Sequence, residues 1–149
     1  MDINVNGVKI TLTKDQLEEI ARQTAKHKVE EIDSIKDAEK VLEGSGHTKY
    51  VESQFTRQKD WLSYQLETII KAVNFIDNGN QIWKPDFTNS SIYKYIPWLQ
   101  RKSSGWVVFA GVDVCVSASG CPLWLYFKDR KTAELIVNKF LNLYNQVWG

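Results

Sequence analysis

Residues 62–76 read LSYQLETIIKAVNFI, and the rest of the chain is organised on either side of this stretch. Its apolar side chains recur at i, i+4, i+7, i+11 and i+14, a spacing that aligns them on one face of an α-helix. These positions are Leu62, Leu66, Ile69, Val73 and Ile76. The Asp-Asn-Gly run at 77–79 predicts the end of the helix. We therefore expect a long amphipathic helix whose apolar face lies in the core.

Beyond this helix the apolar period changes from 3.6 to 2, which predicts an antiparallel sheet. Residues 92–99 form a first predicted strand, in which Pro97 indicates an edge position or a bulge. Every even position of residues 106–116 is apolar, which predicts a second strand. Residues 123–127 predict a third strand, and Asp129 caps a final helix. That helix carries Ala133, Val137, Phe140, Tyr144 and Trp148 on its apolar stripe.

The N-terminus predicts a β-hairpin. The Asn-Gly pair at 6–7 favours a two-residue type I′ turn. This turn pairs Val5 with Val8 and Ile3 with Ile10, so that the apolar residues share one face. Because a lone hairpin is only marginally stable in water, we expect it to dock on the rest of the protein.

Two capping boxes predict two helices between the hairpin and residue 44. Thr13 with Gln16 begins the first, and Ser34 with Asp37 begins the second. Gly44 ends the second helix. The expected buried positions are Leu17, Ile20 and Ala21 in the first helix and Ala38, Val41 and Leu42 in the second.

These elements predict an α+β fold. A small antiparallel β-meander packs with a C-terminal helix, and an N-terminal β-hairpin and about three helices precede it. At 149 residues, a single domain spanning 1–149 is expected. One subdivision separates a hairpin with two helices (1–43), a linker (44–55), and a helix with the aromatic sheet and C-terminal helix (56–149).

Charge divides the chain into two unlike halves. Residues 1–79 carry 11 Lys/Arg and 14 Asp/Glu, a net charge of −3, whereas residues 80–149 carry 8 and 4, a net charge of +4. A duplex nucleic-acid binder usually has a more basic surface, so that class is disfavoured. The sequence shows no signal peptide and no apolar run of membrane-span length. We expect a cytoplasmic protein with no membrane partner.

Aromatic residues are concentrated in the basic half, where 13 of the 18 lie among Lys, Arg, Ser and Asn. Aromatic faces beside cations suit flat anionic ligands, through stacking and charge together. The predicted ligand-binding residues are Trp83, Lys84, Tyr93, Lys94, Tyr95, Trp98, Arg101, Trp124, Tyr126 and Lys128. The alternative is that these aromatics fill the core of a sandwich between helices.

Side chains suited to catalysis or metal binding are sparse. The two histidines and two cysteines are His27, His47, Cys115 and Cys121, and their spacing matches no metal site. Two free thiols are favoured over a disulfide. Asp86 and Asp113 lie in different predicted elements, and Asp86 has the context of a turn former. We therefore predict no catalytic residue, no metal and no cofactor.

One segment of the basic half resembles a known family. The runs WKPDF at 83–87, Asn-Ser-Ser at 89–91 and YKYIPW at 93–98 resemble a segment that recurs in small proteins of Bacteroides phages and prophages. A later stretch within 123–144 recurs with it, and the resemblance covers roughly residues 69–148. It implies phage origin and residence in the host cytoplasm, and it implies no catalytic residue or cofactor.

These observations lead to two functional hypotheses. In the first, the protein is a phage accessory protein with an anti-defence role that traps a small anionic, nucleotide-like ligand on an aromatic and cationic surface. In the second, it inhibits a host defence or metabolic protein through an aromatic patch. A small enzyme is the third choice, and the sequence leaves homo-oligomer formation open. A concave pocket would favour the ligand, and a flat exposed patch the protein partner.

Overall fold

The computed structural model of the protein describes residues 1–24, 27–89, 91–104, 107–115 and 125–148. The elements are β1 (Asp2–Val5), β2 (Val8–Thr11), α1 (Lys14–Thr24), α2 (Ile35–Val41), α3 (Gln58–Asp77), β3 (Lys94–Arg101), β4 (Val107–Cys115), α4 (Arg130–Lys139) and α5 (Leu141–Trp148). The described strands form two antiparallel sheets, β1–β2 and β3–β4. The fold is therefore α+β, with an N-terminal hairpin and helices at the C-terminus.

The hairpin has the predicted register. Val5 pairs with Val8, and Ile3 pairs with Ile10. The two turn residues at 6–7 have φ angles of 51° and 81°, and a type I′ turn requires both to be positive. Its apolar residues are nevertheless largely in solvent, and Val8 is 61% exposed. The expectation that this face docks on the rest of the protein is not met within the described residues.

Both predicted capping boxes begin helices. The Thr13 amide donates to Gln16 Oε1 at 2.9 Å, and the Gln16 amide donates to Thr13 Oγ1 at 3.2 Å. At α2 the Asp37 amide donates to Ser34 Oγ at 3.3 Å. Local side-chain hydrogen bonds of this kind satisfy the amides that a helix N-terminus leaves unpaired.

The predicted buried face of α1 is only partly buried. Leu17 is half-buried, but Ile20 is 45% exposed, so that prediction is wrong for Ile20. The helix is tied to the rest of the molecule by a polar contact, because Glu18 Oε2 lies 3.6 Å from Lys128 Nζ. The side chain of Ala21 lies outside the described part of the structure.

Helix α3 is the centre of the core, as its periodicity predicts. Leu66, Ile69, Val73 and Ile76 are at most 2% exposed, and Leu62 packs against them. The helix ends at Asp77 as predicted. The same core contains Val29, Ile32, Ala38, Val41, Leu42, Phe127, Ala133, Ile136, Val137, Tyr144 and Val147. Helix α3 therefore joins α2 on one side to the C-terminal helices on the other.

A β-bulge interrupts the β3–β4 ladder. Trp98 pairs with Gly111 and the next residue, Leu99, pairs with Phe109, so β4 contains one extra residue at this step. A bulge moves every later side chain to the opposite face of the strand. Phe109 consequently packs on the core together with Val112, although the two residues have opposite parity in the sequence.

The last two predicted elements differ in extent from the structure. In the described part of the predicted third strand, Phe127 forms an isolated bridge with Tyr95, with N···O distances of 2.9 and 2.7 Å. Asp129 caps the following helix through the Thr132 amide at 3.0 Å, as predicted. The predicted single helix is two, because the chain leaves the α-helical conformation at Phe140. Among the described residues no helix is long and apolar enough to cross a membrane.

Candidate functional site

The structure does not gather the ten predicted ligand-binding residues into one surface. Tyr93 and Trp98 are 56% and 59% exposed, and Arg101 is also exposed. Lys94 and Tyr126 are buried, with exposures of 0% and 1%. Lys128 pairs with Glu18, Tyr95 is half-buried, and Trp124 lies outside the described residues. Among the nine of these residues that the structure describes, Trp83 and Lys84 line one groove together.

Lys94 is held inside the protein by groups of its own chain. Its Nζ donates to the Asn89 carbonyl oxygen at 3.2 Å and lies 5.2 Å from the centre of the Phe87 ring. Phe87 in turn meets Tyr126 edge to face at a centroid distance of 5.2 Å. A carbonyl and a ring face offset part of the cost of burying an ammonium group. Lys94 and Tyr126 are therefore structural, and we leave them out of the site.

Tyr95 is covered by a cation from α4. The Arg130 guanidinium carbon lies 5.3 Å from the Tyr95 ring centre, and Arg130 Nη1 donates to the Val112 carbonyl oxygen at 3.1 Å. The bridge to Phe127 engages the Tyr95 backbone. This contact ties α4 to β3 and β4, and it covers one face of the ring of Tyr95, a predicted ligand-binding residue.

Trp83 and Lys84 line a groove of about 420 Å³ along α3, which we call the Trp83 groove. Its lining residues are Glu67, Lys71, Asn74, Ile82, Trp83, Lys84 and Pro85. Trp83 is half-buried and Lys84 is exposed, so an indole and an ammonium group are both accessible. Lys71 places a second cation in the same groove.

Asn74 forms a fixed part of the wall of the Trp83 groove. Its Nδ2 donates to the Tyr126 carbonyl oxygen at 2.8 Å, and its Oδ1 accepts from the Lys128 amide at 2.9 Å. The Asn74 side-chain amide thus makes the two backbone hydrogen bonds with residues 126 and 128 that a paired β-strand would otherwise make. Because both ends of the amide are engaged, Asn74 positions the wall.

A second groove, of about 450 Å³, lies on the N-terminal part of α3, and we call it the Tyr50 groove. It is lined by Tyr50, Gln54, Phe55, Asp60, Ser63, Tyr64 and Glu67. Glu67 lines both grooves. The residue itself is exposed, yet protein packs closely enough around its carboxyl that desolvation raises its pKa, and the nearby positive charge of Lys71 opposes this rise.

A hydrogen-bonded network fastens the loop before α3 to the same face of the helix. Lys71 Nζ lies 3.3 Å from His47 Nδ1, and His47 Nε2 lies 3.4 Å from the Tyr64 hydroxyl, which also accepts from the Tyr50 amide at 2.9 Å. An ammonium group can only donate, so we assign Nδ1 as the acceptor and place the proton of the neutral ring on Nε2. Burial, and then the charge of Lys71, lower the pKa of His47.

Sequence reasoning did not find this part of the site. Tyr64, Glu67 and Lys71 recur at i, i+3 and i+7, which places them on one polar face of the predicted helix. This spacing is the sequence feature from which a shared polar face of these three residues could have been predicted. The contribution of His47 and Tyr50 comes from a separate segment, and only the packing of that segment on α3 brings them to this face.

The other chemistry-bearing residues form no metal centre in the part of the chain that the structure describes. Asp86 Oδ1 accepts from the amide and hydroxyl of Thr88 at 2.9 and 2.6 Å, so Asp86 shapes a turn as predicted, and these bonds lower its pKa. Asp113 accepts from the Val114 amide in β4. Within the described ranges no three His, Cys, Asp or Glu side chains are grouped to hold a metal ion. Cys121 lies outside those ranges.

The chain matches no protein-family model, no curated protein and no solved structure.

Proposed function

We propose that the protein binds a small anionic, base-bearing ligand of the nucleotide class in the Trp83 groove. The observation that carries this proposal is the presence of one accessible indole and two lysines in a single concavity of about 420 Å³. This volume falls in the ordinary range of small-ligand sites, roughly 300–1,000 Å³. The ligand class is the one inferred from the sequence, but the proposed site lies in the Trp83 groove along α3 and not on the surface of the β3–β4 sheet.

Each wall of the groove suits one part of such a ligand. The Trp83 indole offers a face for a flat base, and Lys84 offers a mobile ammonium group for a phosphate. Glu67 places hydrogen-bond acceptors in the same groove, which suits the amino edge of a base better than a phosphate. We expect the phosphate at the Lys84 side and the base between Trp83 and Glu67.

The resemblance to phage proteins suggests a setting for this activity. A binding protein that sequesters a nucleotide signal of a host defence system would need no catalytic residue and no cofactor. We propose this anti-defence role in the host cytoplasm as the biological context of the binding activity.

Calorimetry against mono-, di- and cyclic nucleotides at two salt concentrations tests the proposal. Trp83→Ala should weaken binding by about 5- to 150-fold, since base stacking contributes roughly 1–3 kcal/mol. Lys84→Ala should weaken binding and flatten its salt dependence. Trp98→Ala and Lys36→Ala are matched controls, because both residues are exposed and lie outside the groove. Equal losses in the controls, or no heat from any nucleotide, would count against the proposal.

A second candidate function rests on the exposed aromatics of the β3 region. Tyr93 and Trp98 each leave more than half of a large side chain in solvent, and Ile92 is 40% exposed. Aromatic side chains of this kind dominate the binding energy of protein interfaces. We propose inhibition of a host protein through one or both of these exposed aromatic side chains as the alternative. A purified partner whose binding is lost in Trp98→Ala and retained in Trp83→Ala would favour it.

A further inference from the structure

We infer that the Tyr50 groove binds an organic cation, a guanidinium or alkylammonium group, at a site that borders the one proposed for the nucleotide-like anion and shares Glu67 with it. The groove combines three aromatic side chains with two carboxylates, Asp60 and Glu67. This inference does not depend on the function proposed for the Trp83 groove. It follows from the aromatic walls and from the state of the two carboxylates.

The aromatic walls form one connected cluster. Tyr64 lies 5.5 Å from Tyr50 and 5.4 Å from Phe55, measured between ring centres, and Trp61 lies 5.6 Å from both Tyr64 and Phe55. Tyr50 meets Tyr64 edge to face, at an interplanar angle of 83°. Tyr50 is 42% exposed, so its ring remains open to a ligand. The faces of such rings attract cations through their quadrupole.

One carboxylate of the groove already binds a guanidinium group. Arg57 Nε and Nη2 donate to the two oxygens of Asp60, each at 2.9 Å, in the fork geometry that guanidinium and carboxylate groups prefer. The Arg57 and Asp60 side chains are 77% and 42% exposed, so the pair is a weak surface contact. A guanidinium ligand that used Asp60 would have to displace this exposed Arg57 side chain.

The other carboxylate is available to a ligand. Among the residues that the structure describes, no Lys, Arg or His nitrogen lies within salt-bridge distance of Glu67. Lys71, one turn further along α3, instead directs its Nζ to His47 Nδ1. Desolvation raises the Glu67 pKa, so an incoming cation would stabilise its charged form. An anion would meet the Glu67 carboxylate here while Asp60 is paired with Arg57, which disfavours in this groove the ligand class proposed for the other one.

Two pairs of probes test the charge and the source of the ligand. N-propylguanidinium is titrated against its neutral isostere N-propylurea, and amide NMR shifts of residues 50–67 report binding. We expect saturable shifts with the cation only. A capped Gly-Arg-Gly peptide then identifies the source: binding about tenfold tighter than N-propylguanidinium indicates a polypeptide ligand, and weaker binding indicates a small molecule. Equal shifts with the neutral isostere, or no saturation with any cation, would overturn the inference.

Substitutions at exposed positions locate the site without disturbing the core. Tyr50→Leu should weaken cation binding by about 2- to 5-fold, the effect of one cation–π contact near the surface, whereas Tyr50→Phe should retain binding. Glu67→Gln should weaken binding and reduce its salt dependence. Glu134→Gln, at an exposed position of α4, is the matched control. Wild-type affinity in a folded Glu67→Gln variant would refute the assignment, and unchanged cation binding in Trp83→Ala is required if the two ligands occupy different grooves.

Discussion

Replacing Asn74 by Ala should destabilise the protein more than any other single polar substitution on α3. Asn74 is buried, and its side-chain amide exchanges two hydrogen bonds with the 126–128 segment, one with the Tyr126 carbonyl oxygen at 2.8 Å and one with the Lys128 amide at 2.9 Å. An alanine removes both bonds and puts no polar group in their place. The segment that leads into α4 then loses its attachment to α3.

The size of the effect follows from the burial of the two backbone groups. A buried polar group that loses its partner costs about 1–3 kcal/mol. Tyr126 is fully buried and should lie at the upper end of that range, whereas Lys128 is half-buried, so water can replace part of its bond. We expect a total loss of roughly 2–5 kcal/mol. For a chain of this size, a loss of about 3 kcal/mol lowers the Tm by roughly 6–12 °C.

Urea unfolding and thermal melting measure this loss, with Asn78→Ala as the control. Asn78 donates one hydrogen bond at the protein surface, to the Gln81 carbonyl oxygen at 3.1 Å, so its loss should stay below about 1 kcal/mol. If Asn74→Ala is no less stable than Asn78→Ala, the two hydrogen bonds do not hold the 126–128 segment, and the reasoning fails.

Three further predictions concern the core and the loop before α3. Leu66→Ala should cost about 2–5 kcal/mol in urea unfolding, and more than the same change at half-buried Leu62. Tyr144→Phe should raise the Tm, because the buried hydroxyl has no hydrogen-bond partner among the described residues; a clear decrease would reveal one. The pKa of His47 in the folded protein lies below its ordinary value of 6.5, so the unfolded chain takes up the proton first as the pH falls. The stability that comes from the neutral ring is therefore fully present above pH 6.5 and is lost as the pH falls through the pKa of the folded state. The urea midpoint of the wild type should therefore fall more than that of His47→Gln between about pH 7.5 and 5.5.

Sequence reasoning was most accurate where the determinant is local. The Asn-Gly turn at 6–7 sets the register of its hairpin through backbone conformation alone, and Ser34 caps α2 through a residue three positions away. The face of α3 follows from its own periodicity. Pro97 indicates an edge or a bulge in β3, but the extra residue lies in the partner strand β4, where Gly111 has a φ of 138° and the alternation shifts only through pairing with β3.

The candidate site was only partly predictable for the same reason. The pattern of Lys among aromatics selected Trp83 and Lys84, which line one groove; their predicted ligand binding stays a prediction. The same pattern describes Lys94 equally well, yet Lys94 is buried over Phe87 because residues 87–89 fold back across β3. Sequence spacing gives the chemistry of a residue and its neighbours, whereas exposure depends on which distant segment covers it.

Glu67 is the residue at which the two binding proposals make opposite demands, and its titration can separate them. A cation in the Tyr50 groove favours the ionised carboxylate and should lower the Glu67 pKa, whereas the negative charge of a phosphate in the Trp83 groove should raise it wherever that charge outweighs the hydrogen bond from the base to Glu67. By linkage, the cation should bind more weakly as pH falls through this pKa, and an anion that raises the pKa should bind more tightly. Carbon-detected NMR of the Glu67 carboxyl, recorded with N-propylguanidinium and with a nucleoside monophosphate in turn, measures both shifts. A lower pKa with both ligands would show that the base–Glu67 hydrogen bond outweighs the phosphate charge, and an unmoved pKa under saturating nucleotide would place the anion away from α3.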